Sequence, residues 1–347
     1  MGPVRRAFVL LFLVAFGAGC SIRRMAARSL ADSLSGAGEA FASDRDPELV
    51  RDAAPFALKT MESLLAELPR HRGLLLAACS GFASYAYAFL QVDAELVEPS
   101  DYEASRRLRD RARGLYLRAR DYCLRNLEVE QPGLGARLPM DPAAAVAFAK
   151  REDVPVLYWT AASWGGAIAL GLDRPDLVAD LPTVRALVER ALLLDETYQD
   201  GALHEMAIVL EALPEAMGGS AARARAHFER AVALSRGRSA GPYVALATGV
   251  ALPAQDRAEF VRLLEQALAV DPDREPRLRL ANLIAQKRAR FYLDRVDELI
   301  LDPEAPPGRR EAAAGRALEK PSAGEVEPAR AWIIPRIGGS LGVEEGP

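Results

Sequence analysis

Arg190-Ala-Leu-Leu-Leu-Asp195 is echoed at Arg230-Ala-Val-Ala-Leu-Ser235 and again at Gln266-Ala-Leu-Ala-Val-Asp271. Each echo closes a run of apolar residues at three- and four-residue spacing, the pattern of an amphipathic helix. Each is followed five or six residues later by a new helical start, at Gly201, Gly241 and Pro276. Successive echoes stand 40 and 36 positions apart. Self-similarity at such a period marks repeated supersecondary units that bury their apolar faces only by stacking. No alternating β pattern of any length occurs. The expected fold is all-α: an α-solenoid of degenerate helix hairpins in a single domain.

A standard tetratricopeptide (TPR) repeat is about 34 residues long. The Trp-Leu-Gly-Tyr signature of its first helix is missing, so the hairpins are at most TPR-like. Before the echoes, the chain predicts a helix pair over 57–68 and 73–90, broken by Pro69, and a longer helix over 103–127 with Leu108, Ala112, Leu115, Ala119, Tyr122 and Leu127 at helical spacing. After them, Leu278, Ala281, Ala285, Ala289, Tyr292, Val296 and Leu299 form one stripe, with Asn282, Gln286 and Arg290 beside it.

Between these parts lies Leu157-Tyr-Trp-Thr-Ala-Ala-Ser-Trp-Gly-Gly-Ala-Ile-Ala-Leu170, fourteen residues without a charge. On a helix, Trp159 and Trp164 stand about 140° apart and cannot share one packed seam. The surface between them is stripped to small residues, including Gly165 and Gly166. Each glycine inside a helix costs roughly 1 kcal/mol against alanine, which points to close backbone approach or to a groove.

The 347-residue chain is 50% hydrophobic and 27% charged, which suits a sizeable core. Its formal charge of −4 gives no general nucleic-acid footprint. At the N-terminus, Arg5 and Arg6, the apolar run Ala7 to Phe16, and Gly17-Ala18-Gly19 read as an export signal over 1–19. Cys20 follows directly and resembles the cysteine of a bacterial lipobox, although Gly17 stands where leucine is usual; an ordinary signal with a chance cysteine is the alternative. Acylation at Cys20 would anchor the chain, each buried methylene contributing about 0.8 kcal/mol. Ser21 leans towards the outer membrane, because aspartate there is the familiar inner-membrane retention signal. Residues 20–43 read as a flexible tether, 44–301 as the helical repeat domain and 302–347 as a disordered tail.

Catalytic constellations find no support. His204-Glu205 lacks the second histidine of a zinc-protease motif. With His71, His204 and His227 alone, neither a metal cluster nor a triad assembles from the sequence, and His204 and His227 read as structural. There is no phosphate loop, dinucleotide fingerprint or nucleophile elbow, and no cofactor is expected. Cys79 and Cys123 read by default as buried free thiols, with a disulfide as the alternative in an oxidising compartment. The run Arg106, Arg107, Arg109, Arg111, Arg113, Arg118 and Arg120 reads as a solvated face, with a partner surface as the alternative.

Several blocks taken together resemble the TatT component family, the TPR-like lipoproteins of TRAP transporters. They are Cys79-Ser-Gly-Phe-Ala-Ser-Tyr-Ala-Tyr-Ala-Phe-Leu-Gln91, Tyr158-Trp159 with Trp164-Gly165, and Gly201-Ala-Leu-His-Glu205. They continue through Gly218-Gly219, Ala226-His-Phe-Glu-Arg-Ala231, Gly241-Pro-Tyr-Val244, Arg279-Leu-Ala-Asn-Leu-Ile-Ala-Gln286 and Arg288-Ala-Arg290. The resemblance implies an exported helical-repeat lipoprotein with a cleft or pore through each protomer, a homotrimer, and docking of the solute-binding protein of a TRAP system. It implies no catalytic residue.

The expectation is a non-enzymatic, membrane-tethered accessory protein on the periplasmic side of a bacterial envelope. It binds a TRAP solute-binding protein and holds a hydrophobic or amphipathic small molecule in a groove. The groove candidates are Tyr85, Tyr87, Phe89, Tyr158, Trp159, Trp164, Gly165, Asn282 and Gln286; apolar walls with a few placed polar groups are what such sites show. The alternative is a general TPR-like scaffold for envelope proteins, with a packed interior and no ligand.

Overall fold

The computed structural model describes residues 25–36 and 38–300. The signal, Cys20 and the tail therefore lie outside the described residues. Among those described, every regular element is helical. Ten helices carry the argument: α1 Pro47–Glu67, α2 Arg72–Tyr85, α3 Tyr102–Glu130, α4 Val154–Ala169, α5 Leu181–Asp195, α6 Ala202–Glu211, α7 Ala221–Ser235, α8 Gly241–Leu246, α9 Arg257–Ala269 and α10 Arg279–Leu293. Helix α2 runs on through a π-helical stretch, Ala86–Gln91, into Val92–Val97, and α8 runs on through a π-helical stretch, Ala247–Ala251.

Local chemistry sets the helix starts. Asp46 accepts from the N–H groups of Glu48 and Leu49, with Pro47 at the first position of α1. Asp101 does the same for Ala104 at the head of α3. His71 caps α2 by accepting from Leu74 N–H on Nδ1. Gly201, at φ +93°, turns the chain into α6 in a conformation that glycine adopts without steric cost.

Each long helix packs against the next in the chain, and α2 also meets α4, α6 meets α8, and α8 meets α10. The three echoes end α5 and α7 and overrun the end of α9, as the periodicity predicts. Their second residues, Ala191, Ala231 and Ala267, are fully buried. The alanine of each echo thus faces the core, where its small side chain lets the neighbouring helix lie close. Helix α4 is buried on all sides, apart from Pro155, between α2, α3 and α5. A helix apolar all round belongs in a core.

The last helix returns to the beginning. Helix α10 packs on α1, on Val92–Val97 and on the short helix Gly38–Ala42. One buried apolar cluster runs from Ala31 to Ile300.

Two local readings differ from the structure. In α3 the buried stripe is Ser105, Arg109, Ala112, Tyr116, Ala119, Cys123 and Leu127; Leu108, Leu115 and Tyr122 stand half-buried at its margin. The seam is rotated because Tyr116 is drawn inward against α4. Part of the stretch expected as a tether is helical, at 25–35 and Gly38–Ala42. Ala31 and Ala42 are buried there: the small residues that suggest a linker also allow a helix to lie close on its neighbours.

Candidate functional site

An apolar pocket of about 80 Å³ opens between the N-terminal segment, α1 and α2. Its floor on α1 is Val50, Ala54, Ala57, Leu58 and Met61. Helix α2 contributes Ala77, Ser80, Gly81 and Ser84, then Tyr85 and Phe89. Trp159 of α4 and Leu280 of α10 close the inner end, and Ser35, Gly36, Gly38 and Phe41 form the remaining wall. No charged side chain lines it. The polar groups on the walls are hydroxyls, of Ser35, Ser80, Ser84 and Tyr85.

The pocket exists because α2 presents small residues there. Ala77, Ser80, Gly81 and Ser84 recur at three- and four-residue spacing, leaving a trough down the helix. A Cβ on Gly81 would fall 2.7 Å from Leu58 Cδ2, so the two helices meet at that glycine. The aromatic rim is fixed rather than loose. The Tyr85 and Phe89 rings meet at a tilt of 56° with centroids 5.5 Å apart, and the Arg51 guanidinium lies 5.0 Å over Phe89. Arg51 is itself held by Asp93 at 2.5 Å.

Of the nine groove candidates, Tyr85, Phe89 and Trp159 meet in this pocket. The other six sit elsewhere. Trp164, on the far side of α4, donates its indole N–H to Asp180 at 3.0 Å and lies under Arg120. The two indoles therefore do face different surroundings, as their wheel positions require. Tyr158 is fully buried, edge-on to Trp159 and packed on Tyr198. Burial raises the Tyr198 hydroxyl pKa, and hydrogen bonds from Trp159 and Gln199 pull it the other way. Gly165 is buried within α4; at its neighbour Gly166 an added Cβ would fall 2.7 Å from the ring of Tyr116. That glycine serves close helix packing.

Asn282 and Gln286 are spent on backbone. Asn282 accepts from Ala240 N–H and donates to Arg238 C=O, both at 2.9 Å. Gln286 donates to the carbonyls of Ala267, Leu268 and Val270 at the end of α9, groups a helix leaves without intrahelical partners. Tyr87 lies in a buried polar centre with Arg288, Glu95 and Tyr292. Sequence reasoning missed the α1 floor, Leu280 and the N-terminal wall; the small-residue stripe on α2 was the signal that could have led to them.

The cysteines are a correction. Cys79 and Cys123, taken by default as free thiols, form a disulfide joining α2 to α3, with Cα atoms 5.4 Å apart. The arginine run also divides. Arg109, Arg113, Arg118 and Arg120 are engaged with Glu98, with Asp110 and the Leu170 carbonyl, with Glu62, and with Asp121, while Arg106, Arg107 and Arg111 are exposed.

Elsewhere, His204 and His227 face each other with their Nδ1 atoms 2.9 Å apart. His204 Nε2 lies 3.3 Å from Glu196, which Arg230 also holds. Burial lowers both imidazole pKa values, and the charge of His227 lowers that of His204 further. In this contact one Nδ1 donates and the other accepts. The rings tie α6 to α7. No group of three or more His, Cys, Asp or Glu placed to hold a metal occurs among the described residues.

The sequence profile described as TRAP transporter T-component matches residues 43–300. A protein of Treponema pallidum (strain Nichols), described as an uncharacterized protein, is 32% identical over 307 residues, covering 82% of this chain and 94% of that one.

Proposed function

Because this chain belongs to the TRAP transporter T-component family, we propose that it is a non-enzymatic accessory component of a TRAP-type uptake system. In this reading it is tethered to the bacterial envelope through Cys20, faces the periplasm and binds the system's solute-binding protein. The single observation that carries the reading is the family match across nearly the whole described region. The Cys79–Cys123 disulfide supports the compartment, since such bonds persist in oxidising surroundings such as the periplasm. The outer membrane is the proposed site of the anchor, on the strength of Ser21.

The repeat architecture is read as an α-solenoid of degenerate TPR-like hairpins in one domain over 44–301, supported by the neighbour and alternate-neighbour contacts of the long helices. Stacked hairpins offer extended surfaces suited to protein recognition, and a homotrimer is the proposed assembly. The pocket beside Trp159 is the proposed seat of an apolar or amphipathic solute: its walls are hydrocarbon, aromatic rings and hydroxyls. A free carboxylate would find no counter-ion among them.

A transport complex must form and separate, so the affinity is expected to be micromolar, about −8 kcal/mol. Calorimetric titration of the lipid-free chain against the cognate solute-binding protein tests this, with and without solute. Neither heat nor co-elution at tens of micromolar would sink the adaptor reading and favour a general envelope scaffold.

A further inference from the structure

An enclosed cavity of roughly 150 Å³ takes one benzene. This pocket is partly open and measures about 80 Å³, so closing it over a solute of that size needs one wall to move. Three of the walls belong to the core: α1 and α2 meet at Gly81, the Cys79–Cys123 disulfide staples α2 to α3, and Trp159 and Leu280 are themselves buried. The fourth, carrying Ser35, Gly36, Gly38 and Phe41, is the segment that leads from the N-terminus.

We propose that residues 31–36 and 38–43 form a hinged strap that gates this pocket. The strap spans from the head of α2 to the head of α10. At one end His71 Nε2 lies 3.0 Å from Asp32 Oδ1, and Ser35 presses against Gly73, where a Cβ would stand 2.9 Å from its Oγ. At the other end Arg279 donates to the Ser43 carbonyl, and Arg45 pairs with Asp273 at 3.5 Å. In the Arg45–Asp273 pair both side chains are more than half exposed, and such a pair contributes little. The strap buries two alanines, Ala31 and Ala42, and lays two larger side chains, Leu34 and Phe41, half-buried against the core. The Arg279 tie is partly buried, but the Asp32 and Arg45 ties face water, and a segment held by modest buried area and exposed ties opens below the cost of global unfolding.

His71 makes the latch specific. Its Nδ1 accepts from Leu74 N–H, so the neutral ring carries its proton on Nε2, which donates to Asp32. The latch is thereby built on the cap of the helix that forms the pocket wall. The strap begins a dozen residues after Cys20, so an anchor there would hold the gate itself near the membrane.

The test places a cysteine on the pocket wall. Ala77 is 6% exposed and lines the pocket. In full-length protein carrying Ala77→Cys, reaction with N-ethylmaleimide is followed by mass spectrometry of the peptide containing residue 77. A second pair, Ser35→Cys with Gly73→Cys, locks the strap, since the Ser35 Cβ lies 3.3 Å from the position a Cβ on Gly73 would take, close to disulfide range. The locked form is expected to react at least tenfold more slowly than protein carrying Ala77→Cys and Gly73→Cys without Ser35→Cys, which cannot form the crosslink. No reductant is added, so the Cys79–Cys123 disulfide stays closed in both, and fragmentation of the peptide assigns the label to residue 77. Asp32→Ala, which releases the latch, is expected to raise the rate of the unlocked protein at least threefold. Equal rates in the first comparison, or no acceleration in the second, overturns the proposal. The inference rests on the pocket reading for its purpose, but the labelling uses no solute; a gate that works around a pocket that binds nothing would count against the solute alone.

Discussion

Arg288 and Glu95 stand 193 residues apart in the chain and form a buried two-point ion pair, Nε to Oε2 at 2.7 Å and Nη2 to Oε1 at 2.9 Å. Tyr292 donates its hydroxyl to the same carboxylate, and Arg288 reaches Tyr87. Burial pushes the Tyr87 phenol up to about 12, so it stays neutral and hydrogen-bonding throughout the physiological range. Removing one partner leaves the other charge buried without compensation. Arg288→Ala is therefore expected to cost about 3–5 kcal/mol, and the apolar double change Arg288→Met with Glu95→Leu much less. Urea unfolding of the three proteins measures both.

The histidine pair predicts a pH dependence. Both imidazoles have pKa values lowered below 6.5 in the folded protein. The unfolded chain then binds more protons than the folded one between the folded and unfolded values, so stability falls as pH drops through about 6.5 and levels off below the folded values. Replacing His204 and His227 with Asn is expected to flatten the change in unfolding midpoint between pH 7.5 and 5.5. An unaltered slope would assign the dependence to other groups.

The disulfide closes a loop of 44 residues. Chain entropy places its contribution at about 4 kcal/mol, and removal of native disulfides commonly costs about 2–5 kcal/mol. Cys79→Ala with Cys123→Ala is expected to lower the unfolding free energy in that range. Thiol titration of the denatured, unreduced wild type is expected to find neither cysteine free.

Gly166→Ala is expected to destabilise by about 1–3 kcal/mol. The added Cβ would meet three ring carbons of Tyr116, whose hydroxyl is held by Gln91 at 2.6 Å. A buried ring fixed at both ends cannot step aside. Tyr116→Phe in the Gly166→Ala background tests this through the melting temperature: freeing the ring from Gln91 should make the second change cost less there than in the wild type.

Gln286→Leu is expected to cost about 1–3 kcal/mol by removing the side-chain donor to the carbonyls of Leu268 and Val270, without changing binding of any solute beside Trp159. Loss of binding with full stability would return Gln286 to the groove.

Which parts were legible follows from what sequence encodes. Period and burial are local signals, so the echoes that place Ala191, Ala231 and Ala267 in the core could be read directly. So could the divergence of Trp159 from Trp164, which is a matter of angle along one helix. Asn282 and Gln286 form a polar stripe that looks like a lined groove; their partners lie in turns 16 to 44 residues earlier, and no periodicity names them. Cys79 and Cys123 were legible as helical but not as a pair, since pairing depends on how α2 meets α3. The strap was hidden by its composition, because Ala, Ser and Gly serve a linker and a closely packed helix equally well.

The return of α10 to the start of the chain limits how the helical array can lengthen. An open repeat array grows or shrinks by copying a unit, because each unit touches only its neighbours. Here an extra hairpin of 36 or 40 residues would carry Arg288 away from Glu95 and Gly38–Ala42 away from the helix it rests on. Inserting one would therefore break the closure that joins the first helices to the last, whereas changes in loop length away from it leave that closure intact.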